Sequence, residues 1–221
     1  MGLAQYSNGK RILPPSGKLH SHQRLIMIDE SGEIGSTSLF CVFVASITDH
    51  VKKVEKIIKV FPKGRRKNKH YNSLDRTKVD VLTELSSCDI DIYGISYKKS
   101  KLDCDTPKKK SIHVICQMTE LIELVLKNDN GTTYNLVIDN TPLIDGYEDM
   151  FAKFCYKIAE SCGKTIDELH IMSSSGTNVL KIHDYVAGTI GAHIENAKDA
   201  ENECHERFGI VKSKIKEIIE R

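Results

Sequence analysis

Arg24-Leu25-Ile26-Met27-Ile28-Asp29-Glu30-Ser31-Gly32 sets four consecutive apolar residues directly before two acids and a Ser-Gly turn signal. A continuous apolar run closed by a turn signal reads as a strand buried on both faces. Acids at the tip of such a strand sit at the rim of the core. A carboxylate that faces solvent there costs little, whereas one that faces inward needs a cation or a hydrogen-bond donor. Taken alone, Asp29 and Glu30 could simply open a turn, because Asp and Gly favour turns. Two later stretches argue otherwise.

Working outward, Leu39 to Ile47 is a second apolar run and is expected to be the antiparallel hairpin partner of the first. His50 to Phe61 has helical spacing, with Val51, Val54, Ile57, Ile58 and Phe61 on one face, and Pro62 stops it. Lys63 to Lys69 follows; it carries Lys63, Arg65, Arg66, Lys67 and Lys69 and reads as an exposed basic loop. Ser73 to Ser87 is expected to be a helix with Val79, Leu82 and Leu85 inward, and Ile90 to Tyr97 a third strand. Lys98 to Lys110 reads as a second basic linker, and Ile112 to Lys127 as an apolar helix ended by Asn128-Asp129-Asn130-Gly131. Tyr134 to Asp139 is a fourth strand, again ended by an acid. A helix through Met150, Phe151, Phe154 and Ile158, a short strand Leu169 to Met172 and a helix from Val179 to about Asn196 complete the run.

An antiparallel start followed by β-α-β units implies an α/β fold with a mixed five-stranded sheet flanked by helices. Residues 1–23, rich in Gly, Ser and Pro, are expected to be a flexible N-terminal tail. Residues 24–221 are then a single domain with a helical C-terminal extension over 199–221, where Phe208, Val211, Ile215 and Ile218 have helical spacing.

Composition bounds the function. The chain is 40% hydrophobic and 28% charged, as expected of an ordinary globular protein, and no apolar run is long enough for a membrane-spanning helix. Its 7 cysteines are scattered with no Cys-x-x-Cys pair, so reduced thiols in a cytoplasmic protein and no zinc site are expected. The net charge of +2 hides an asymmetry: residues 51–110 hold 17 Lys/Arg against 8 Asp/Glu, and residues 111–221 hold 11 against 18. A basic segment beside an acidic one suits nucleic-acid contact next to a carboxylate site; it also describes two solvated faces of opposite sign. No glycine-rich phosphate loop and no Ser/His/Asp nucleophile signature is present.

The chemistry gathers on acids. Asp139 repeats the pattern of Asp29, an apolar strand and then a carboxylate. Ligands of open α/β sheets collect beyond the carboxyl ends of strands, and neighbouring first and fourth strands would set these two side by side. The third acid is Asp184, whose helical neighbours Leu180, Ala187, Gly188 and Gly191 form a small apolar stripe that should face the protein. An unpaired carboxylate there is costly unless it is used; acceptance of backbone N–H bonds or pairing with Lys181 is the plainer alternative. Several carboxylates around one point, with no soft ligands, suit Mg²⁺ or Mn²⁺. Two such ions can activate water and stabilise a leaving oxygen in phosphodiester cleavage.

Ile28-Asp29-Glu30-Ser31-Gly32, Val137-Ile138-Asp139-Asn140 and Leu180-Lys181-Ile182-His183-Asp184-Tyr185-Val186-Ala187-Gly188 resemble the three blocks of a prokaryotic family catalogued as domain-of-unknown-function family 3800. The resemblance spans about residues 24–196. It implies an RNase H-like fold with Asp29, Asp139 and Asp184 as metal-binding acids. Lys181 and His183 depart from that family's last block, and its Glu-x-Lys before the middle helix is absent, the region reading Lys67-Asn68-Lys69-His70-Tyr71-Asn72. Glu30 could supply a fourth acid, and Glu84 is expected on a solvated helix face.

Three functional readings follow. The first is a divalent-metal-dependent nuclease whose basic loops hold nucleic-acid phosphates, with Asp29, Asp139, Asp184 and Glu30 catalytic. The second is a catalytically weakened nucleic-acid-binding module on the same fold. The third is a small-molecule phosphohydrolase using the same acids.

Overall fold

A computed structural model describes residues 2–13, 15, 23–32, 37–61, 75–102, 104–173, 177–199 and 202–221. The strands are β1 (Gly2–Ser7), β2 (Lys10–Arg11), β3 (Arg24–Ser31), β4 (Phe40–Thr48), β5 (Asp91–Lys98), β6 (Thr133–Asp139), β7 (Thr165–Met172) and β8 (Ile215–Glu220). The α-helices are α1 (Val51–Lys56), α2 (Asp75–Ser86), α3 (Pro107–Asn128), α4 (Glu148–Ser161), α5 (Asn178–Glu195) and α6 (Cys204–Val211). All eight strands join one mixed sheet in the order β2-β1-β7-β6-β3-β4-β5-β8.

The opening stretch lies at the centre of this sheet. β3 pairs antiparallel with β4, Asp29 opposite Val44, and parallel with β6, Ile28 opposite Ile138. Being central, β3 needs apolar residues on both faces, which explains its unbroken apolar run. Ile26 and Ile28 join the core made with α3 and α4, through residues such as Met118, Ile122 and Phe151. Leu25 and Met27 join the opposite core, made with α1, α2, α5 and α6 through Val54, Leu82, Leu180 and Val211. The sheet is therefore covered by helices on both sides, the three-layer arrangement that such strands require.

Local signals set the element boundaries. The hydroxyl of Thr106 accepts the Lys109 N–H at 3.2 Å, and Pro107 occupies the first turn, where its missing N–H is harmless. At the other end of the sheet, the Asp129 carboxylate accepts from the Tyr134 hydroxyl at 2.7 Å, the Gly131 N–H at 2.8 Å and the Arg24 guanidinium at 2.6 Å. Arg24 also pairs with Asp49, so the start of β3 is tied to the loops after α3 and β4.

Several expectations are corrected. Among the described residues the sheet has eight strands rather than five, because three short segments join its edges. The supposed flexible tail contains β1, which pairs with β7 from Gly2–Met172 to Ser7–Glu168, and β2, its hairpin partner. Ala4 and Tyr6 are buried on one face of β1, and the Tyr6 hydroxyl donates to Asp149 at 2.6 Å. The predicted C-terminal helix stops at Val211, and β8 follows, parallel to β5. Ile218 and Ile219 explain this change. In β8 they enter the cores on opposite faces, whereas a helix would turn them only ~100° apart. The second basic linker is the end of β5, a turn of 3₁₀ helix at Lys99–Lys101 and the start of α3. Val79, expected inward, is exposed, and so is Phe154; α2 buries Thr77, Val81, Leu82 and Leu85, and α4 buries Phe151, Ala152, Cys155 and Ala159. All 7 cysteines are free thiols.

Candidate carboxylate site

β3 and β6 run parallel, so their carboxyl ends lie at the same edge of the sheet. Ile28 opposite Ile138 is the last pair of their ladder, and Asp29 and Asp139 are the next residue on each strand. Pleating fixes their direction. Met27 and Val137 belong to the core under α5, and two residues further along the same face come Asp29 and Asp139. The third acid comes from above, on α5 itself. The buried ring of His183 reaches Val44 O, with Nε2 at 3.0 Å, and Val44 is the residue opposite Asp29. The helix is thus anchored at the level of Asp29 one residue before Asp184. Two turns on, Gly191 lies so close to β3 that a Cβ there would meet Ser31 Oγ at 2.3 Å. The small stripe seen in the sequence is what permits this approach.

Asp29 is 4% exposed. Its Oδ1 accepts the N–H of Glu30 at 2.8 Å, and its buried Oδ2 has no hydrogen-bond partner among the described residues. Its carboxyl is pushed well above the usual carboxylate range, first by burial, then by the charges of Asp139, Glu30 and Asp184, against the one backbone hydrogen bond that favours ionisation. Asp139 and Asp184 are half-buried, each with a path to solvent. The buried Oδ1 of Asn140, next after Asp139, likewise has no partner among the described residues. His183 is kept neutral, its pKa lowered to about 4 by burial; with Nε2–H donating to Val44, its Nδ1 is a buried bare acceptor.

The other sequence candidates separate from this group. Glu30 is opposite Phe43, whose side chain belongs to the core with α3 and α4. Alternation therefore turns Glu30 to the face away from Asp29, Asp139 and Asp184. It acts on Asp29 through charge, but the expectation that it completes the same cluster is corrected. Glu84 is on the exposed face of α2, as expected. Lys63, Arg65, Arg66, Lys67 and Lys69 lie outside the described residues.

The donors suit a hard cation: carboxylates, an amide oxygen and, among the described residues, a buried Asp29 oxygen without a hydrogen-bond partner. The group is not closed: among the described residues no three His, Cys, Asp or Glu side chains stand as a ready-made metal-binding set. Mutual repulsion of the acids accounts for an open arrangement in the protein alone.

A cleft of about 560 Å³ adjoins the acids, and sequence reasoning did not find it. Ser31, two residues beyond Asp29 on the same face, and Gly188, one turn beyond Asp184, both line it, with Lys78 of α2 and Arg207 of α6 on the far wall. The two basic residues come from helices remote in sequence, and nothing local distinguishes them from solvated lysines and arginines.

No family model and no curated protein matches the chain. Among solved structures, a similar chain comes from the PCNA:RNase HII complex of Archaeoglobus fulgidus, with 11% identity over 86% of this chain and 90% of that one and a TM-score of 0.46. A likeness of that degree assigns no function. Among the described residues no helix is long and apolar enough to cross a membrane.

Proposed function

We infer that this chain is a divalent-cation-dependent nuclease on an RNase H-like fold, with Asp29, Asp139 and Asp184 holding Mg²⁺ or Mn²⁺ and nucleic acid as substrate. The carrying observation is Asp29, a buried carboxylate with one oxygen that has no hydrogen-bond partner among the described residues, with Asp139 at the same strand edge and Asp184 on α5 acting on it through charge. Such a group is costly in the protein alone and is relieved by a bound cation. The resemblance to domain-of-unknown-function family 3800 points the same way. When bound, a divalent ion, or a pair of them, supplies charge neutralisation and water activation for phosphodiester hydrolysis. The chain's own part is to hold three carboxylates on one edge, keep His183 neutral beneath them, and exclude water from the Asp29 side. Basic residues Lys63, Arg65, Arg66, Lys67 and Lys69 are assigned to the phosphate backbone on charge alone.

The test is a thermal-shift titration with Mg²⁺ and with Mn²⁺, beside a cleavage assay on a mixed DNA and RNA panel. Metal should stabilise the parent by roughly 2.7 kcal/mol at one hundred times its Kd, and Asp139→Asn should lose that response. Equal shifts in parent and variant would refute the site. A second reading, a nucleic-acid-binding module with weakened catalysis, is favoured by Glu30 facing the other side of the sheet, which leaves three acids in the group. Binding without cleavage in either metal would select it.

A further inference from the structure

We propose that the cleft beside the acids is the seat of the nucleic-acid strand next to the scissile phosphate, with Lys78 and Arg207 holding one of its phosphates in a place that Asp75 fills in the free protein. This rests on the nuclease reading and names the residues by which the same site takes its substrate.

The cleft begins where the acids end. Two elements lead from one to the other, β3 from Asp29 to Ser31 and α5 from Asp184 to Gly188. Its near wall is built of small residues, so a sugar-phosphate backbone can lie against the main chain. Its far wall carries two cations that are mostly withdrawn from water, the side chains of Lys78 and Arg207 being 13% and 15% exposed. They come from different helices and converge on one atom: Lys78 Nζ is 3.2 Å and Arg207 Nη1 3.1 Å from Asp75 Oδ1. The carboxylate they share is 62% exposed. Glu203, 74% exposed, is a looser partner of Arg207 at 3.5 Å.

This inequality carries the inference. A structural ion pair has both members held alike. Here two partly buried cations are fixed by their helices, and the anion between them is on a solvated, short side chain that can swing away at little cost. The anionic oxygen that the two cations share marks a position suited to a phosphate oxygen, which would gain two charge-assisted hydrogen bonds. Asp75 then competes with the substrate. Glu195, the acid that lines the cleft itself, does not: its carboxylate accepts the N–H groups of Leu39 at 2.8 Å and Phe40 at 3.2 Å and so braces the start of β4.

The competition gives a signature that a merely structural contact would not. Binding of fluorescein-labelled DNA and RNA oligonucleotides is measured by anisotropy over a range of salt. Arg207→Ala is expected to weaken binding about tenfold and to lower the slope of log affinity against log salt by about one. Asp75→Asn is expected to tighten binding several-fold, although it removes the same ion pair. Glu203→Gln, which leaves the helix start intact, should tighten it in the same direction, and covers the case that Asp75→Asn loosens α2. If the parent binds oligonucleotide but Asp75→Asn and Glu203→Gln both weaken or leave it unchanged, the cleft assignment is overturned while the nuclease reading stands. If the parent neither binds nor cleaves nucleic acid, both fall together.

Discussion

The approach of α5 to β3 is the contact that sets Asp184 over Asp29, and it can be tested with one methyl group. A Cβ at position 191 would lie 2.3 Å from Ser31 Oγ and 2.6 Å from Ser31 Cβ. Ordinary carbon contacts are ~3.5–4.0 Å, so helix and strand would have to part by about 1 Å. Rotating the Ser31 side chain moves Oγ but not Cβ, so the clash is with an atom fixed to the strand. Overpacking of this kind costs roughly 1–3 kcal/mol, and the upper half of that range fits a contact that no rotamer relieves. Replacing a helical glycine with alanine returns about 1 kcal/mol. Gly191→Ala should therefore lose a net ~1–2 kcal/mol, a Tm drop of roughly 2–8 °C for a chain of this size. Gly209 in α6 is the control, since a Cβ there meets nothing within 4 Å; Gly209→Ala should raise stability by about 0.5–1 kcal/mol. The double variant Ser31→Gly/Gly191→Ala removes both clashing atoms and should show a favourable coupling of about 1 kcal/mol or more over the two single changes. Urea unfolding of the parent, the single variants Gly191→Ala, Gly209→Ala and Ser31→Gly, and the double variant measures all of this. If Gly191→Ala is stabilised as much as Gly209→Ala, the helix does not lie where the site requires it.

Other expectations follow from the same contacts. Asp29→Asn keeps the shape but removes a buried charge beside two others, so without metal it should be as stable as the parent or more so, while losing stabilisation by Mg²⁺; a clear loss of stability in EDTA would mean that Asp29 has a cationic partner within the protein. Arg24→Ala leaves the Asp129 carboxylate buried without its cation and should cost about 3–5 kcal/mol by urea unfolding, and a change below 1 kcal/mol would place the pair among weak surface contacts. Burial alone would raise the Asp129 carboxyl, but hydrogen bonds from Tyr134, Gly131 and Arg24 outweigh it and hold it below its usual value. Its contribution is thus present above the unfolded carboxyl pKa and is lost as pH falls through the lowered folded value, so the gap between parent and Asp129→Asn should narrow on acidification. In thiol labelling of the native protein, exposed Cys116 should react first and the buried Cys41, Cys88 and Cys155 only on unfolding; burial also raises the Cys155 and Cys88 thiols.

The centre of the sheet was legible in the sequence because burial there acts on consecutive residues. β3, β4 and β6 each carry an apolar run too long for a loop and too tightly bounded for a helix, and their order and pairing follow from chain connectivity. The edges were not legible. Gly2–Ser7 buries the apolar Ala4 and Tyr6 on one face and the polar Gln5 on the other, and its partner β7 is more than 150 residues away, so nothing local separates it from a coil. Ile215-Lys216-Glu217-Ile218-Ile219 satisfies a helical period on paper. Its packing on two faces depends on the cores on either side of the sheet, which take Ile219 on one face and Ile215 and Ile218 on the other, a tertiary fact that overrides local preference.

The acids divide in the same way. Asp29 and Asp139 could be placed together because each ends an apolar strand, and strand alternation carried through one more residue puts both on the α5 face. The same alternation, applied to Glu30, turns it away, so pleating decides between two adjacent acids that composition treats alike. Asp184 was legible through the small residues one and two turns after it, since a glycine stripe has meaning only if a helix comes close to something. What no periodicity could supply is the order of burial, with Asp29 enclosed and Asp139 and Asp184 half-open. That order matters for the chemistry. The enclosed carboxylate has the most to gain from a cation, and the two half-open ones leave the approach from solvent on the side of Ser31 and Gly188, which line the same cleft as Lys78 and Arg207.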